Sequence, residues 1–209
     1  MITFSVIMPS YLGPYRHAAK DRDLKIMRAI ESVLSQSYRE FELIVIADGC
    51  RETEDILMTS YLGQEKIRAF RIDKQPNFSG NVRNAGIKKA VNDWVVYLDI
   101  DDMFGKDHLK VIAEGITANP GYDWYWFNDR SYSHRDKGFN EHFIDIDRKG
   151  KNGTSNVCHR RNIGVWWPER GTYMHDWIFI NKLKIASVRY KKLPTPYYLI
   201  CHVPGMLDV

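Results

Sequence analysis

The sequence predicts a single α/β domain with a mostly parallel sheet, and three observations support this fold class. Its 209 residues correspond to roughly one domain at about 150 residues each, enough to bury a core without disulfides. The hydrophobic fraction of 44% and the charged fraction of 27% are ordinary for a soluble globular chain, which excludes disordered and fibrous proteins. Finally, short apolar runs alternate with amphipathic stretches, the pattern of βαβ units.

The first half of the chain contains four predicted strands with a helix between each pair. Apolar, β-rich runs predict strands at 2–8, 43–46, 67–72 and 94–98. Apolar spacings of three and four predict a helix at 23–37, and further helices are expected at 53–62 and 81–90, the last capped by Ser79. Right-handed βαβ connections in such a sheet place ligands beyond the carboxyl ends of the strands.

The second half follows the alternation less closely. The sequence predicts a helix at 107–117, strands at 124–128, 154–159 and 197–202, and a helix at 174–183. Residues 130–153 are polar and rich in charge and glycine, so we expect an irregular loop there. A loop of this length is more often an active-site lid or an acceptor-binding flap than a passive connection.

Charge, cysteine and hydropathy patterns exclude several other classes of protein. The net charge of +4 is small and scattered, which argues against a nucleic-acid partner. Three cysteines without CxxC spacing argue against a disulfide framework and a four-ligand zinc site. The N-terminus lacks a basic leader, and no run approaches the roughly 18 apolar residues of a transmembrane segment. We therefore expect a cytoplasmic chain, with peripheral membrane association still open.

Three carboxylates follow the fourth predicted strand in the run Asp99-Ile100-Asp101-Asp102. Alternate carboxylates in a turn can point at one hard cation, and Mg²⁺ or Mn²⁺ favours one or two such ligands together with diphosphate oxygens. The alternative is an acidic turn in which Asp102 caps the next helix. Its position at a strand's carboxyl end favours the metal-diphosphate interpretation.

Two further polar motifs reach the same edge of the predicted sheet. Asp48-Gly49 ends the second strand, where the carboxylate could accept a hydrogen bond from uracil N3–H, with a plain Asp-Gly turn as the alternative. Arg83-Asn84 opens the helix before the fourth strand and brings a cation and an amide close to this edge. Its alternative is a solvated arginine on a first helical turn.

Taken together, these segments resemble the inverting family 2 glycosyltransferases of the GT-A fold. The resemblance rests on five segments in order, at residues 4–11, 28–38, 41–49, 81–86 and 97–102. It implies a Rossmann-like, mostly parallel central sheet with helices on both faces and a smaller C-terminal acceptor-side subregion. It also implies transfer of a sugar from a nucleoside diphosphate sugar, expected to be UDP-linked, to a hydroxyl of a glycan or a lipid-linked saccharide.

The same resemblance divides the single domain, residues 1–209, into a donor-binding half at 1–102 and an acceptor-side half at 103–209. It assigns six residues to the nucleotide: Pro9, Ser10, Tyr11, Asp48, Arg83 and Asp99. Asp99 and Asp101 match the family's DxD motif, so Asp101 is expected to ligate Mn²⁺ or Mg²⁺ with help from Asp99. Two departures are Ala47, where the family usually has Asp, and Cys50, where it usually has Ser.

In the second half the resemblance points to a general base and to acceptor contacts. Asp176 matches the family's catalytic base, although His175 stands where the family usually has Glu. His202 ends a Tyr-rich strand, and in the family such a histidine helps to hold metal and diphosphate; a core or solvated histidine is the alternative. Acceptor-side candidates are Trp166, Trp167 and His175, with core packing as the alternative for the tryptophans.

Two other functions remain open from the sequence. A sugar-phosphate nucleotidyltransferase also has an α/β nucleotide-binding sheet, but it needs a Gly-rich triphosphate loop near its N-terminus, which Gly13 alone does not supply. A catalytically silent nucleotide-sugar-binding protein would keep Asp48 and Asp101 but would not need Asp176.

Overall fold

The computed structural model describes residues 1–15, 21–76, 78–133, 135–153, 155–169, 174–194 and 197–201. Within these ranges the strands are β1 (Phe4–Ser10), β2 (Phe41–Asp48), β3 (Ile67–Ile72), β4 (Trp94–Tyr97), β5 (Met103–Phe104), β6 (Trp124–Trp126), β7 (Asp129–Ser133), β8 (Gly138–His142), β9 (Val157–Arg160), β10 (Tyr190–Lys192) and β11 (Tyr198–Ile200). The α-helices are α1 (Arg22–Leu34), α2 (Arg51–Ser60), α3 (Gly80–Lys89), α4 (His108–Ala118) and α5 (His175–Ala186).

A seven-stranded central sheet runs in the order β10-β6-β9-β4-β1-β2-β3. Strands β1 to β4 are mutually parallel, and β6 and β10 point the same way, because β9 pairs antiparallel with both β4 and β6. Only β9 is therefore reversed within the described sheet. The predicted mostly parallel α/β fold is confirmed, with each of the first four strands within a few residues of its expected place.

Helices cover both faces of this sheet because alternate side chains of each buried strand point to opposite sides. Phe4, Val6 and Met8 of β1 pack in one apolar layer with α1 and α4, whereas Ile7 packs in a second layer with α3 and α5. Gly86 lets α3 lie directly on Ile7, since a Cβ at that position would collide with the isoleucine side chain. The two layers hold the carboxyl ends of β1, β2 and β4 side by side.

The structure also contains a second sheet, in the order β5-β11-β7-β8, which the sequence did not predict. The prediction of an irregular loop at 130–153 was wrong for its first part, where β7 and β8 form an antiparallel hairpin. Cross-strand pairs stabilise the hairpin despite its polar composition: Tyr132 packs edge-on against Phe139 at 5.5 Å between ring centroids. His142 Nδ1 also lies 3.0 Å from Asp129 Oδ1. Strands β5 and β10 are two and three residues long, too short for a detectable period.

None of the helices in the described ranges combines the length and the apolar character that crossing a membrane requires.

Candidate active site

A cleft of about 710 Å³ opens at the carboxyl ends of β1, β2 and β4. Its walls include all six residues that the sequence assigns to the nucleotide: Pro9, Ser10, Tyr11, Asp48, Arg83 and Asp99. Asp101 and His175 line the same cleft. Because the strands are parallel, side chains far apart in sequence meet at one edge of the sheet, where this fold class binds ligands.

At one end of the cleft, Asp48 is the last residue of β2 and only 5% exposed. Its Oδ1 accepts a hydrogen bond from the Gln75 backbone N–H at 2.6 Å, and its Oδ2 accepts one from Lys74 Nζ at 2.7 Å. Gly49 has a φ of +64° and lies so close to the Lys74 backbone that a side chain would not fit. The Asp-Gly turn is thus present, and it holds the carboxylate at the cleft wall.

Where β1 ends, the cleft wall has one fixed residue, Ser10, and one aromatic ring, that of Tyr11. The Ser10 hydroxyl shares a 2.7 Å hydrogen bond with that of Thr53, which ties β1 to α2. The ring of Tyr11 has the Lys74 ammonium 4.3 Å from its centroid. Tyr11, Asp48 and Lys74 thus form one corner of the cleft.

At the other end, Arg83 of α3 is 2% exposed, which excludes the solvated-arginine alternative. It donates to Asp99 Oδ1 at 2.5 Å and to the hydroxyl of Ser79, which precedes α3 but makes no side-chain capping bond. Its guanidinium lies 4.9 Å from the centroid of the Trp167 ring. Arg83 therefore orients Asp99, the first of the three carboxylates after β4, from inside the protein.

Asn84 anchors this end of the cleft, a role that the sequence did not reveal. Its side chain accepts a 2.8 Å hydrogen bond from the Trp167 backbone N–H and donates a 3.1 Å hydrogen bond to the Trp167 carbonyl. Trp167 is 1% exposed and stacks on Phe179 at 3.9 Å between centroids, as the core-packing alternative expected. Trp166, by contrast, is 41% exposed.

The three carboxylates after β4 have separate environments. Asp101 lines the cleft, and its backbone carbonyl accepts a hydrogen bond from Arg28 Nη2 at 2.7 Å. Asp102 does not cap a helix, because α4 begins only at His108. Its two oxygens instead accept bonds from the Tyr198 hydroxyl and the Cys201 N–H, both at 2.7 Å. Asp102 thus fixes β11, the strand that leads to position 202.

A divalent metal fits these residues only as a cation shared with a ligand. Among the residues described, no three His, Cys, Asp or Glu side chains converge to hold a metal. Asp101 and Asp99 supply two carboxylates on the cleft wall. Mg²⁺ and Mn²⁺ commonly take one or two protein carboxylates and complete their coordination with phosphate oxygens and water. The predicted third ligand, His202, lies outside the described residues.

His175 and Asp176 begin α5 beside the cleft. The His175 ring lies between Phe78, at 5.2 Å, and Trp167, at 5.8 Å, measured between centroids. Its Nε2 is 2.6 Å from Asp176 Oδ1, yet their mutual orientation is not that of a hydrogen bond. His175, predicted on the acceptor side, lines the cleft, whereas Asp176, the predicted base, is not among the residues that line it.

Comparison with known proteins identifies the family. The model of Glycosyl transferase family 2 matches residues 5–184, a span that includes every cleft residue named above. The chain belongs to this family. Its α/β fold is the GT-A fold that the sequence predicted.

Family 2 relatives match a little more than half of the chain. An uncharacterized glycosyltransferase of Rickettsia felis is 38% identical over 117 residues, which cover 55% of this chain and 17% of the relative. The poly(ribitol-phosphate) beta-N-acetylglucosaminyltransferase TarS of Staphylococcus aureus is 25% identical over 121 residues, covering 57% of this chain and 20% of TarS. The chain thus matches less than a quarter of the length of either relative.

Solved structures share the fold over nearly the whole chain. S. aureus TarS 1-349 in complex with UDP-GlcNAc superposes with a TM-score of 0.75 and 19% identity, covering 100% of this chain and 61% of that one. A mannosyltransferase of Pyrobaculum calidifontis in complex with GDP-Man and Mn²⁺ gives a TM-score of 0.65 and 13% identity, covering 97% and 57%. At such identities the likeness concerns the fold.

Proposed function

We propose that this family 2 glycosyltransferase takes its sugar from a UDP-sugar and transfers it, with inversion, to a hydroxyl of a glycan or a lipid-linked saccharide. The observation that carries the proposal is the cleft itself. One cavity, with carboxylates at both ends, is lined by side chains from four separate segments. These segments are the carboxyl ends of β1, β2 and β4 and the start of α3. TarS, which shares the fold, forms complexes with UDP and UDP-GlcNAc, which supports the choice of donor.

In this proposal the two ends of the cleft bind different parts of the donor. Asp48 accepts from uracil N3–H, and Pro9, Ser10 and Tyr11 border the base. Asp99, which Arg83 orients, faces the ribose and the metal, and Asp101 ligates Mn²⁺ or Mg²⁺, with His202 as a further candidate ligand. When bound, such a cation offsets the negative charge that develops on the leaving diphosphate.

The proposed chemistry needs one proton acceptor on the acceptor side of the donor sugar. Asp176 takes the proton from the acceptor hydroxyl while the oxygen of that hydroxyl forms a bond to the anomeric carbon of the donor sugar. On the opposite face of this carbon, its bond to the diphosphate oxygen breaks. His175 lines the cleft together with the residues assigned to the nucleotide, and its Nε2 lies 2.6 Å from Asp176 Oδ1. The exposed Trp166 ring remains a candidate surface for stacking an acceptor sugar.

The experiment measures UDP release from a panel of UDP-sugars with Mn²⁺ and candidate acceptors, for the wild type and Asp176→Asn. General-base catalysis contributes about 10² to 10⁴ in rate, so kcat should fall at least a hundredfold or so, while the Kd for UDP stays within roughly threefold. Asp23→Asn is the matched control, because Asp23 also lies in the first turn of a helix but away from this cleft. His175→Ala should reduce kcat less than Asp176→Asn does.

Three outcomes would contradict the proposal at different points. A fully active Asp176→Asn enzyme would remove Asp176 as the base. A larger loss in His175→Ala would transfer that role to the histidine. UDP binding without turnover of any donor would favour the catalytically silent alternative.

A further inference from the structure

Lys74 is a cleft residue that the sequence analysis did not single out. It lies two residues after β3, and its side chain is 43% exposed. Its Nζ donates to Asp48 Oδ2 at 2.7 Å and to the Gln75 carbonyl at 2.8 Å, and it lies 4.3 Å from the centroid of the Tyr11 ring. The ammonium group therefore stands next to the carboxylate that we assign to the nucleobase.

The backbone around Lys74 is built to hold that position. The Gln75 N–H donates to Asp48 Oδ1 at 2.6 Å, and the Gly49 N–H donates to the Ile72 carbonyl at 2.9 Å. A Cβ on Gly49 would lie 2.8 Å from the backbone nitrogen of Lys74. The chain after β2 and the chain after β3 are therefore in direct contact. Lys74 is thus fixed at both its backbone and its ammonium, unlike an ordinary surface lysine.

The hydrogen-bonding capacity that remains at this corner has a defined pattern. An ammonium group has three N–H donors, and two of those on Lys74 reach Asp48 and Gln75. Within the described part of the chain, no further oxygen accepts the third. Carboxylate oxygens each have two lone pairs, so Asp48 can still accept one bond beside the lysine. The corner therefore presents one acceptor next to one donor.

Uracil matches this pattern along the edge that carries N3–H and the O4 carbonyl. Cytosine does not, because its N3 has no hydrogen and its 4-amino group would face the ammonium. Adenine shows the same mismatch at N1 and its 6-amino group. Guanine carries a carbonyl and an N–H in the same arrangement, and Asp48 Oδ1, which accepts one bond from the Gln75 N–H, keeps a lone pair for its amino group. The pattern therefore separates uracil from cytosine and adenine.

We propose that Lys74 is a specificity-determining residue of the donor site, which donates to the uracil O4 while Asp48 accepts from N3–H. The inference rests on the proposed function and names the feature of the donor that this end of the cleft selects. A base without an N–H beside a carbonyl would leave the third N–H of Lys74 without an acceptor. The lone pair of its ring nitrogen would also face the Asp48 carboxylate. Such mispairing is costly in a partly desolvated pocket.

The test is calorimetric titration of the full chain with UDP, CDP and inorganic pyrophosphate, each with Mn²⁺, using the wild type and Lys74→Met. Methionine keeps the apolar stem and removes the three donors. The wild type should bind UDP at least about tenfold more tightly than CDP, and Lys74→Met should lose about tenfold in UDP affinity and most of the UDP-to-CDP ratio. Its affinities for CDP and pyrophosphate should change by less than roughly threefold.

Lys66→Met is the matched control. Lys66 also donates to a backbone carbonyl, that of Arg39, and also lies over an aromatic ring, that of Phe41, but outside the cleft. It should bind every ligand as the wild type does, and thermal melts of both variants check that they fold.

Four results would overturn the inference. Equal losses of UDP and pyrophosphate affinity would make Lys74 a phosphate ligand, and unchanged UDP affinity in Lys74→Met would place base recognition elsewhere. CDP binding as tightly as UDP to the wild type would contradict the selection of an N–H beside a carbonyl. A wild type that binds none of these ligands would contradict the proposed function and this inference with it, whereas the first three results leave the function standing.

Discussion

Strand β2 carries a buried carboxylate near each of its ends, and the two have similar partners. Glu42 and Asp48 are 7% and 5% exposed. Each accepts one hydrogen bond from a backbone N–H and one from a cationic side chain. For Glu42 these donors are Val91 N and Arg68 Nη1, at 2.8 and 2.5 Å; for Asp48 they are Gln75 N and Lys74 Nζ, at 2.6 and 2.7 Å.

The two ends differ in what else surrounds the carboxylate. Glu42 also accepts a 2.5 Å bond from the Ser5 hydroxyl and lies away from the cleft. Burial alone would raise the pKa of the Glu42 carboxyl, but the hydrogen bonds from Ser5, the Val91 N–H and Arg68 outweigh it and lower the pKa. Asp48 borders a cavity of about 710 Å³. Similar local chemistry thus supports the sheet at its closed end and leaves room for a ligand at its open end.

The sharpest way to separate the two ends is to remove the carboxylate at the closed end. Glu42→Ala leaves the Val91 N–H, the Ser5 hydroxyl and Arg68 without their acceptor, so we expect a loss of about 3 kcal/mol in the free energy of unfolding. For a chain of this size that corresponds to a fall of roughly 6–12 °C in Tm. Urea unfolding measures the loss, and the UDP affinity of the folded variant should match that of the wild type. Unchanged stability would show that Glu42 is not a structural support.

At the open end, Asp48→Ala should have the opposite profile. The loss of the acceptor for uracil N3–H costs roughly 1 to 3 kcal/mol of binding, so UDP affinity should fall about tenfold or more. Pyrophosphate affinity should hardly change. The unfolding free energy should fall less than in Glu42→Ala, because water in the cleft can reach the groups that Asp48 leaves. If Asp48→Ala instead loses stability and keeps its UDP affinity, Asp48 supports the fold as Glu42 does and does not bind the nucleobase.

The smallest expected effect is on the pH dependence of stability. Because the folded-state pKa of Glu42 lies below its unfolded value of 4.5, its contribution is present above that value and is lost as the pH falls through the lowered pKa. The wild type should therefore lose stability on acidification more steeply than Glu42→Gln does. Urea melts at a series of pH values below 5 or so compare the slopes, with the exposed Glu40→Gln as control. Equal slopes in Glu42→Gln and the wild type would contradict the lowered pKa.

The sequence predicts the open end well because the fold itself places its residues there. Asp48 ends one apolar run and Asp99 directly follows another, and both runs are long enough to identify as buried strands. Parallel strands bring such positions to one edge of the sheet. Their positions in the cleft therefore follow from periodicity and connection rules alone. Arg83 follows by the same logic, because it lies in the first turn of the helix that precedes β4.

Other features depend on tertiary contacts that no local pattern encodes. Lys74 reaches Asp48 only because β2 and β3 pair in register through Asp48 and Ile72, and Asn84 meets Trp167 across 83 positions of sequence. The β7–β8 hairpin is polar, so its alternation carries no burial signal. The sequence analysis did not single out His108, which is fully buried against Phe104, and burial lowers its pKa to about 3.

The central claim is that the open end of the sheet binds a UDP-sugar through a metal that Asp101 holds. Titration of the wild type and Asp101→Asn with UDP, in the presence of Mn²⁺ and after its chelation, tests this claim most directly. We expect tight binding by the wild type only with Mn²⁺, and weak binding by Asp101→Asn in both conditions together with a loss of UDP-sugar turnover. Equal UDP affinity with and without Mn²⁺, in an Asp101→Asn enzyme that still turns over its donor, would contradict the account.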